Sequence, residues 1–291
     1  MNNTVIIVDS GCDLPLKYIK ENNIPYLGIT LNFKGNEYFE DFGQSIKYKD
    51  FYAAVRAGEM PSTSQVNAYR FEEVFKKYVE EGKSIIYLAF SAGLSGTYNS
   101  ALIAREDILH KYPEADITII DTKSASMGVG LLVYYACEML KAGASKEEII
   151  NWVKENIPKT VHWFTVDDLN HLKRGGRVSS TSAAVGTLLG IKPVLHVNDE
   201  GKLINVSKVK GRKKSIKELF NNLEKHIVNP EEQVIFISHG DCLEDAESLA
   251  AMIREKYPVK DIIINFVGPV IGSHSGPGTI ALFFLGDSRQ P

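Results

Sequence analysis

Short apolar runs recur through the first half of the chain, each followed by a polar loop and then a stretch of helical period. Val5–Val8 reads as a strand, Asp9–Asp13 as its loop, and Leu14-Pro15 as the start of a helix to about Glu21, because proline suits a first helical position. Ile24–Phe33 reads as a second strand, with Lys34–Glu37 as a turn toward a short hairpin partner. Tyr48–Gly58 places Phe51, Tyr52 and Val55 on one helical face, and Ala68–Glu81 does the same with Phe71, Val74, Phe75 and Tyr78. Met60–Gln65 between them reads as a loop. Ile85–Phe90 is a buried strand, Ser91–Ser100 a loop of glycines and hydroxyls, and Ala101–Arg105 a helix. Ile117–Ile120, Asp121–Gly128 and a long apolar helix to about Ala142 repeat the unit. Apolar strands alternating with helices predict a parallel, Rossmann-like α/β sheet. Its ligand crevice lies at the carboxyl ends of the strands, where the loops after Val8, Phe90 and Ile120 fall by order.

The pattern changes after a charged amphipathic helix, Ser145–Asn156, and Pro158. This predicts two α/β domains, residues 1–159 and 160–291. In the second, Val161–Val166, Val194–Val197, Leu203–Val209, Val234–Ser238, Ile262–Phe266 and Ile280–Leu285 read as strands. Asn198–Gly201 is a hairpin signal. Helices are expected at Leu169–Lys173, Ser182–Leu189, Ser215–His226 and Leu243–Tyr257, and the sheet is expected to be mixed.

Composition narrows the function. The chain has 291 residues, 44% hydrophobic and 24% charged, with a formal charge of −3. That balance argues against nucleic acid as the main partner, which usually needs a basic surface. Cys12, Cys137 and Cys242 are far apart and form no CxxC or Cys/His pair, so neither zinc nor a disulfide framework is expected. A reduced, cytoplasmic setting fits this usage. The start of the chain does not read as a signal peptide, and no apolar run approaches the ~18 residues of a membrane span. A hydrophobic ligand is therefore expected inside the fold.

The candidate chemistry lies in the loops. Backbone N–H groups at the start of the helix after Ser91–Ser100, with the hydroxyls of Ser91, Ser95 and Thr97, make a pocket for an anion. The loop holds no Lys, so it is not a Walker phosphate loop, and its uncharged donors suit a carboxylate. The competing reading is a tight strand–helix turn. Pro61–Gln65 offers more hydroxyls, but taken alone a helix cap explains them better. Asp9, Asp13, Asp121 and Asp241 follow strands but lack the close pairing of a Mg²⁺ site, and ordering their own loops explains them better. Ser95 with His274 or His239 is a candidate nucleophile and base, but Gly93-Leu-Ser-Gly-Thr97 is not the G-x-S-x-G elbow. Arg174-Gly-Gly-Arg177 and Gly272–Gly278 place charge beside glycine, which suits an acyl phosphate or a surface turn. Lys208–Lys214 is a basic run that suits a solvated face or an acidic partner.

Seven motifs then carry a resemblance over essentially the whole chain: Val8–Pro15, Pro61–Gln65, Ser91–Ala101, Ile120–Gly128, Leu172–Ser179, Gly190–Val194 and Ile271–Gly278. In this order they resemble the DegV family of bacterial fatty-acid-binding proteins. The resemblance implies a two-domain α/β fold with one long-chain fatty acid in a tunnel between the domains. It implies that Thr63 and Ser95 hold the carboxylate, with Ser64 as a secondary donor. Arg177 and His274, with Arg174 beside them, match positions tied to an acyl-phosphate head or to partner contact. The implied role is a carrier subunit without catalytic residues, metal or cofactor. It presents the fatty acid to a separate ATP-dependent fatty acid kinase that makes acyl phosphate for phospholipid synthesis. Val66-Asn67 departs from the Pro-Ser that often follows in the family, and Cys12 stands where another small residue is common. Apolar residues around Val185, Leu188, Leu189, Ile191, Val194 and Leu195 are candidates for the tunnel wall, although ordinary core explains each singly. A serine hydrolase or transferase using Ser95 and a phosphate-binding regulator remain as alternatives.

Overall fold

The computed structural model describes residues 3–178 and 190–290. The helix expected at 182–189, with Val185, Leu188 and Leu189, lies outside the described residues.

The predicted parallel sheet is present. Strands β1 (Thr4–Asp9), β2 (Tyr26–Leu27), β6 (Ser84–Ala89) and β7 (Ile117–Asp121) run parallel in the order β2-β1-β6-β7. Helix α1 (Leu16–Glu21) starts one residue after Pro15, which is its N-cap with ψ of 134° and not its first residue. Between β2 and β6 the chain forms the hairpin expected at Lys34–Glu37, but in a sheet of its own. The run expected as one strand from Ile24 breaks after Leu27, and β3 (Thr30–Phe33) pairs with β4 (Asn36–Phe39) and β5 (Ser62–Ser64) in a separate antiparallel sheet. Residues 62–64, expected as loop, are thus held by a backbone ladder, with Thr63 opposite Leu31.

The second half forms a six-stranded mixed sheet, in the order β10-β9-β8-β13-β11-β12. Its strands are β8 (Thr160–Thr165), β9 (Ile191–Val197), β10 (Leu203–Lys210), β11 (Val234–His239), β12 (Asp261–Phe266) and β13 (Ile280–Leu285). Only the β11–β12 pairing is parallel. Period-two alternation divides the two faces. Phe236, Phe283, Phe164 and Leu195 face the first sheet, whereas Ile235, Ile237, Leu282, Phe284, Trp163 and Val194 pack against α8 (Arg212–His226) and α9 (Leu243–Lys256).

Helix α5 (Met127–Lys141) joins the halves. It is apolar nearly all round, and it packs on β1 and β6 of the parallel sheet and on β8, β11 and β13 of the mixed sheet. One continuous cluster runs from Ile6, Val8, Ile86 and Leu88 through Leu131 and Val133 to Phe236 and Phe283. Each such large side chain, fully buried, stabilises the fold by roughly 1.5–3 kcal/mol. On the outer face of the parallel sheet, α2 (Tyr48–Arg56), α3 (Ala68–Glu80) and α4 (Thr97–Lys111) cover Ile7, Ile85 and Tyr87. Helix α6 (Lys146–Asn156) begins with a capping box between Ser145 and Glu148 and packs against α5. The short helices α7 (Leu169–Arg174) and α10 (Pro269–Ser275) pack on each other, and α10 also touches α2, β3 and β5.

Candidate functional site

A cavity of about 390 Å³ opens where the two sheets, α5, α7 and α10 meet. That volume lies in the range of small-molecule sites, about 300–1,000 Å³. Its body is apolar, with Phe164, Ala281 and Phe283 from the mixed sheet facing Ile29, Phe90 and Ile271. Thr63, Ser64, Gln65, Ser95, Arg177, His274 and Ser275 also line it, and no acidic side chain does so among the described residues.

Thr63 is carried in by β5, and its Oγ1 lies 2.7 Å from His274 Nε2 on α10. Nδ1 of His274 is buried without a hydrogen-bond partner. Burial, with Arg177 nearby, lowers the ring's pKa to about 4, so it is neutral at ordinary pH. A proton on Nδ1 would be a buried donor left unpaired. The proton therefore sits on Nε2 and is donated to Thr63, which frees the Thr63 hydroxyl hydrogen for a ligand.

Ser95 is prepared in the same way. Its Oγ accepts the Thr97 backbone N–H at 3.2 Å and lies 2.9 Å from Thr97 Oγ1. Thr97 Oγ1 itself accepts the Val66 N–H at 3.3 Å. With Thr97 donating to Ser95, the Ser95 hydrogen is left for the cavity. Arg177 completes this end. Its Nε donates to Leu94 O at 3.2 Å and its Nη1 to Gly175 O. Burial lowers its pKa, but a guanidinium stays charged in proteins. The cavity wall thus carries one fixed positive charge with two neutral hydroxyl donors, a set that favours an anionic group.

Not every residue of the expected pocket contributes. Ser91 is fully buried and donates to Gly201 O at 2.8 Å, so it is a structural bond and not a ligand donor. Gly93 lets the β9–β10 hairpin approach, since a Cβ there would stand 2.8 Å from Glu200 O. Thr97 is consumed by Val66 and Ser95. Arg174 does not reach the cavity. It is exposed on the outside of α7, with Nη2 at 2.9 Å from His171 Nδ1 and Nη1 at 3.4 Å from Met60 Sδ. Of the expected tunnel wall, Ile191, Val194 and Leu195 do not line the cavity, and Val194 faces the opposite side of the sheet. Ser275 was overlooked beside His274; it is 4% exposed, lines the cavity and has an unpartnered Oγ.

The competing readings lose their partners. His274 is engaged by Thr63, and His239 lies tilted against Phe266 with ring centroids 4.3 Å apart while its Nδ1 accepts the Cys242 N–H, so neither histidine is hydrogen-bonded to Ser95. The four candidate metal acids each order local structure. Asp9 accepts Tyr87 Oη and the N–H groups of Gly11 and Phe90; Asp13 accepts Ser126 Oγ and Gly268 N–H. Asp121 accepts from Ala92 and Lys123, and Asp241 pairs with Arg56. No cluster of three or more metal-ligating side chains occurs among the described residues. None of the basic run at 208–214 lines the cavity, and its Arg212 is paired with Asp245 at 2.8 Å.

Comparison with known proteins gives the family and the fold. The profile of the family described as uncharacterised protein, DegV family, matches residues 3–287. The chain belongs to the DegV family. A DegV domain-containing protein of Clostridium perfringens is 60% identical over 291 residues, covering 100% of both chains. Among solved structures, a DegV lipid-binding protein of Thermotoga maritima superposes with a TM-score of 0.85 at 31% identity, covering 100% of each chain. A fatty-acid-binding DegV family protein of Thermus thermophilus does so with a TM-score of 0.88 at 28% identity, covering 98% of this chain and 99% of its own. The mixed α/β architecture with one parallel and one mixed sheet is therefore a DegV fold.

Proposed function

We propose that this DegV protein binds a long-chain fatty acid in the cavity between its sheets, with the carboxylate against Thr63, Ser95 and Arg177. The observation that carries the reading is the composition of the wall among the described residues: an apolar body, one guanidinium, two hydroxyls, and no carboxylate. Each methylene of an acyl chain removed from water contributes about 0.8 kcal/mol, so the body supplies affinity. A buried carboxylate must be hydrogen-bonded or paired, and the polar residues do both. Ser64 is at the exposed rim and serves as a secondary donor. The fatty-acid-binding DegV proteins of the same fold support this assignment.

The protein acts as a carrier, not a catalyst, and works in the cytoplasm with a separate ATP-dependent kinase. The motivation is that the hydroxyls are set as donors and, among the described residues, no general base is presented to any of them. A carboxylate held near a rim is available to a second protein for phosphorylation. Arg177 and His274 would meet the added phosphate, and Arg174 beside Met60, which is 69% exposed, would meet the partner. Reconstitution tests this part. Acyl phosphate, trapped as hydroxamate, should form from fatty acid and ATP only when this protein and the kinase are both present. Equal product without this protein would contradict the carrier role.

A further inference from the structure

The two hydroxyls assigned to the carboxylate come from different elements, Thr63 from β5 and Ser95 from the loop before α4. A carboxylate presents two acceptor oxygens at a fixed separation, so one head can take both donors only where the two elements keep their distance. Gln65 stands between them. It follows Thr63 by two residues and lines the cavity together with Thr63, Ser95 and Gly96.

The Gln65 amide reaches across to α4. Its Nε2 donates to Ser100 Oγ, in the first turn of that helix, at 2.9 Å. Its carboxamide lies against Gly96, the N-cap of α4, where a Cβ would overlap Oε1. Gly96 has φ of −73° and ψ of 0°, right-handed backbone open to any residue, so its conformation does not call for glycine. Room for the amide does. Gln65 is an exposed residue, so burial of apolar surface does not account for fixing a side chain with this much rotamer freedom. The next residue adds a second tie: Val66 N–H donates to Thr97 Oγ1 at 3.3 Å, and Thr97 is in turn bonded to Ser95. The segment that carries Thr63 is thus fastened to the helix start that carries Ser95.

We propose that Gln65 is a positioning residue for the lipid head: seated on Gly96 and bonded to Ser100, it sets the spacing of the Thr63 and Ser95 hydroxyls so that one carboxylate takes both. The inference rests on the fatty-acid reading above and adds to it the device that fits the site to a head group of two oxygens.

Titration of delipidated protein with stearic acid, in two backgrounds, tests it. In the otherwise unaltered protein, Gln65→Ala and Ser100→Ala should each weaken binding about tenfold, the effect of losing one hydrogen bond to a charged group. In a Ser95→Ala background there is no second hydroxyl to place. The same substitutions should there change affinity less than about twofold, because residues that act through one contact are not additive. Ser100 does not line the cavity and alanine suits a helix, so Ser100→Ala keeps the test open should Gln65→Ala fail to fold. An equal loss in both backgrounds would overturn the inference and show that the tie only supports the fold. No loss in the unaltered protein would overturn it as well. In either case the fatty-acid reading stands, whereas an unaltered protein that binds no stearic acid would overturn both.

Discussion

The hydroxyls of Thr63 and Ser95 act through what holds them. Each has its oxygen occupied by a protein donor, His274 Nε2 in one case and Thr97 in the other, so each has one hydrogen to give. Hydrogen bonds to a charged group contribute about 1.5–3 kcal/mol, so Thr63→Ala or Ser95→Ala should weaken fatty acid binding about tenfold or more, and the double variant further. Titration of delipidated protein with a long-chain acid measures this, and unchanged affinity in the double variant would refute the carboxylate assignment. Arg177→Met should also weaken binding, and should reduce its dependence on ionic strength, because it removes the charge and keeps the aliphatic stem. Ser95 stood out by residue type and loop position, whereas Thr63 was singled out only by the family resemblance. Their readiness as donors was not legible, because it depends on Val66, Thr97 and His274, and His274 is remote in sequence from the hydroxyl it meets. Ser91 illustrates the converse: the same loop chemistry was spent on the hairpin tip at Gly201.

At the level of elements, α10 brings Val270, Ile271, His274 and Ser275 to the cavity, and its N-cap residue Gly268 donates its N–H to Asp13 at 3.0 Å. Beside that bond lies Glu40, which is buried with Oε2 unpartnered. Burial raises Asp13 to a pKa of about 7 and Glu40, with Asp13 adding to the effect, to about 8. An acid raised in the folded state binds its proton more tightly there, so its stabilisation is present at low pH and is lost as pH rises from its unfolded value to the folded one. The unaltered protein should therefore lose stability between about pH 4 and pH 8 through this pair. Glu40→Gln should flatten that slope in denaturant melts taken across the range; an unchanged slope would show that Glu40 does not titrate there. The alternating strands, the helical faces and the hairpin at 198–201 were readable because each is a local pattern. The β3–β4 hairpin was readable from its turn, but its separation into a sheet with β5 was not. β5 is only Ser62–Ser64, too short to alternate, and its strand character comes from pairing with β3 far along the chain.

For the whole molecule, the decisive property is that one core and one cavity span both sheets. Helix α5 was recognisable as long and apolar, but its position between two sheets follows from contacts between residues more than a hundred apart, such as Tyr134 with Phe236, ring centroids 5.6 Å apart. A ligand in that cavity touches both halves, so binding should stabilise them together. At a free concentration one hundred times Kd, a ligand adds about 2.7 kcal/mol to the folded state. Delipidated protein should melt several degrees below the loaded form, in a single transition at either state. The most direct test of the account is mass spectrometry of the organic extract from freshly purified, denatured protein. It should yield fatty acid close to one molecule per chain. An extract free of fatty acid, from a protein that also fails to take up added fatty acid, would contradict it.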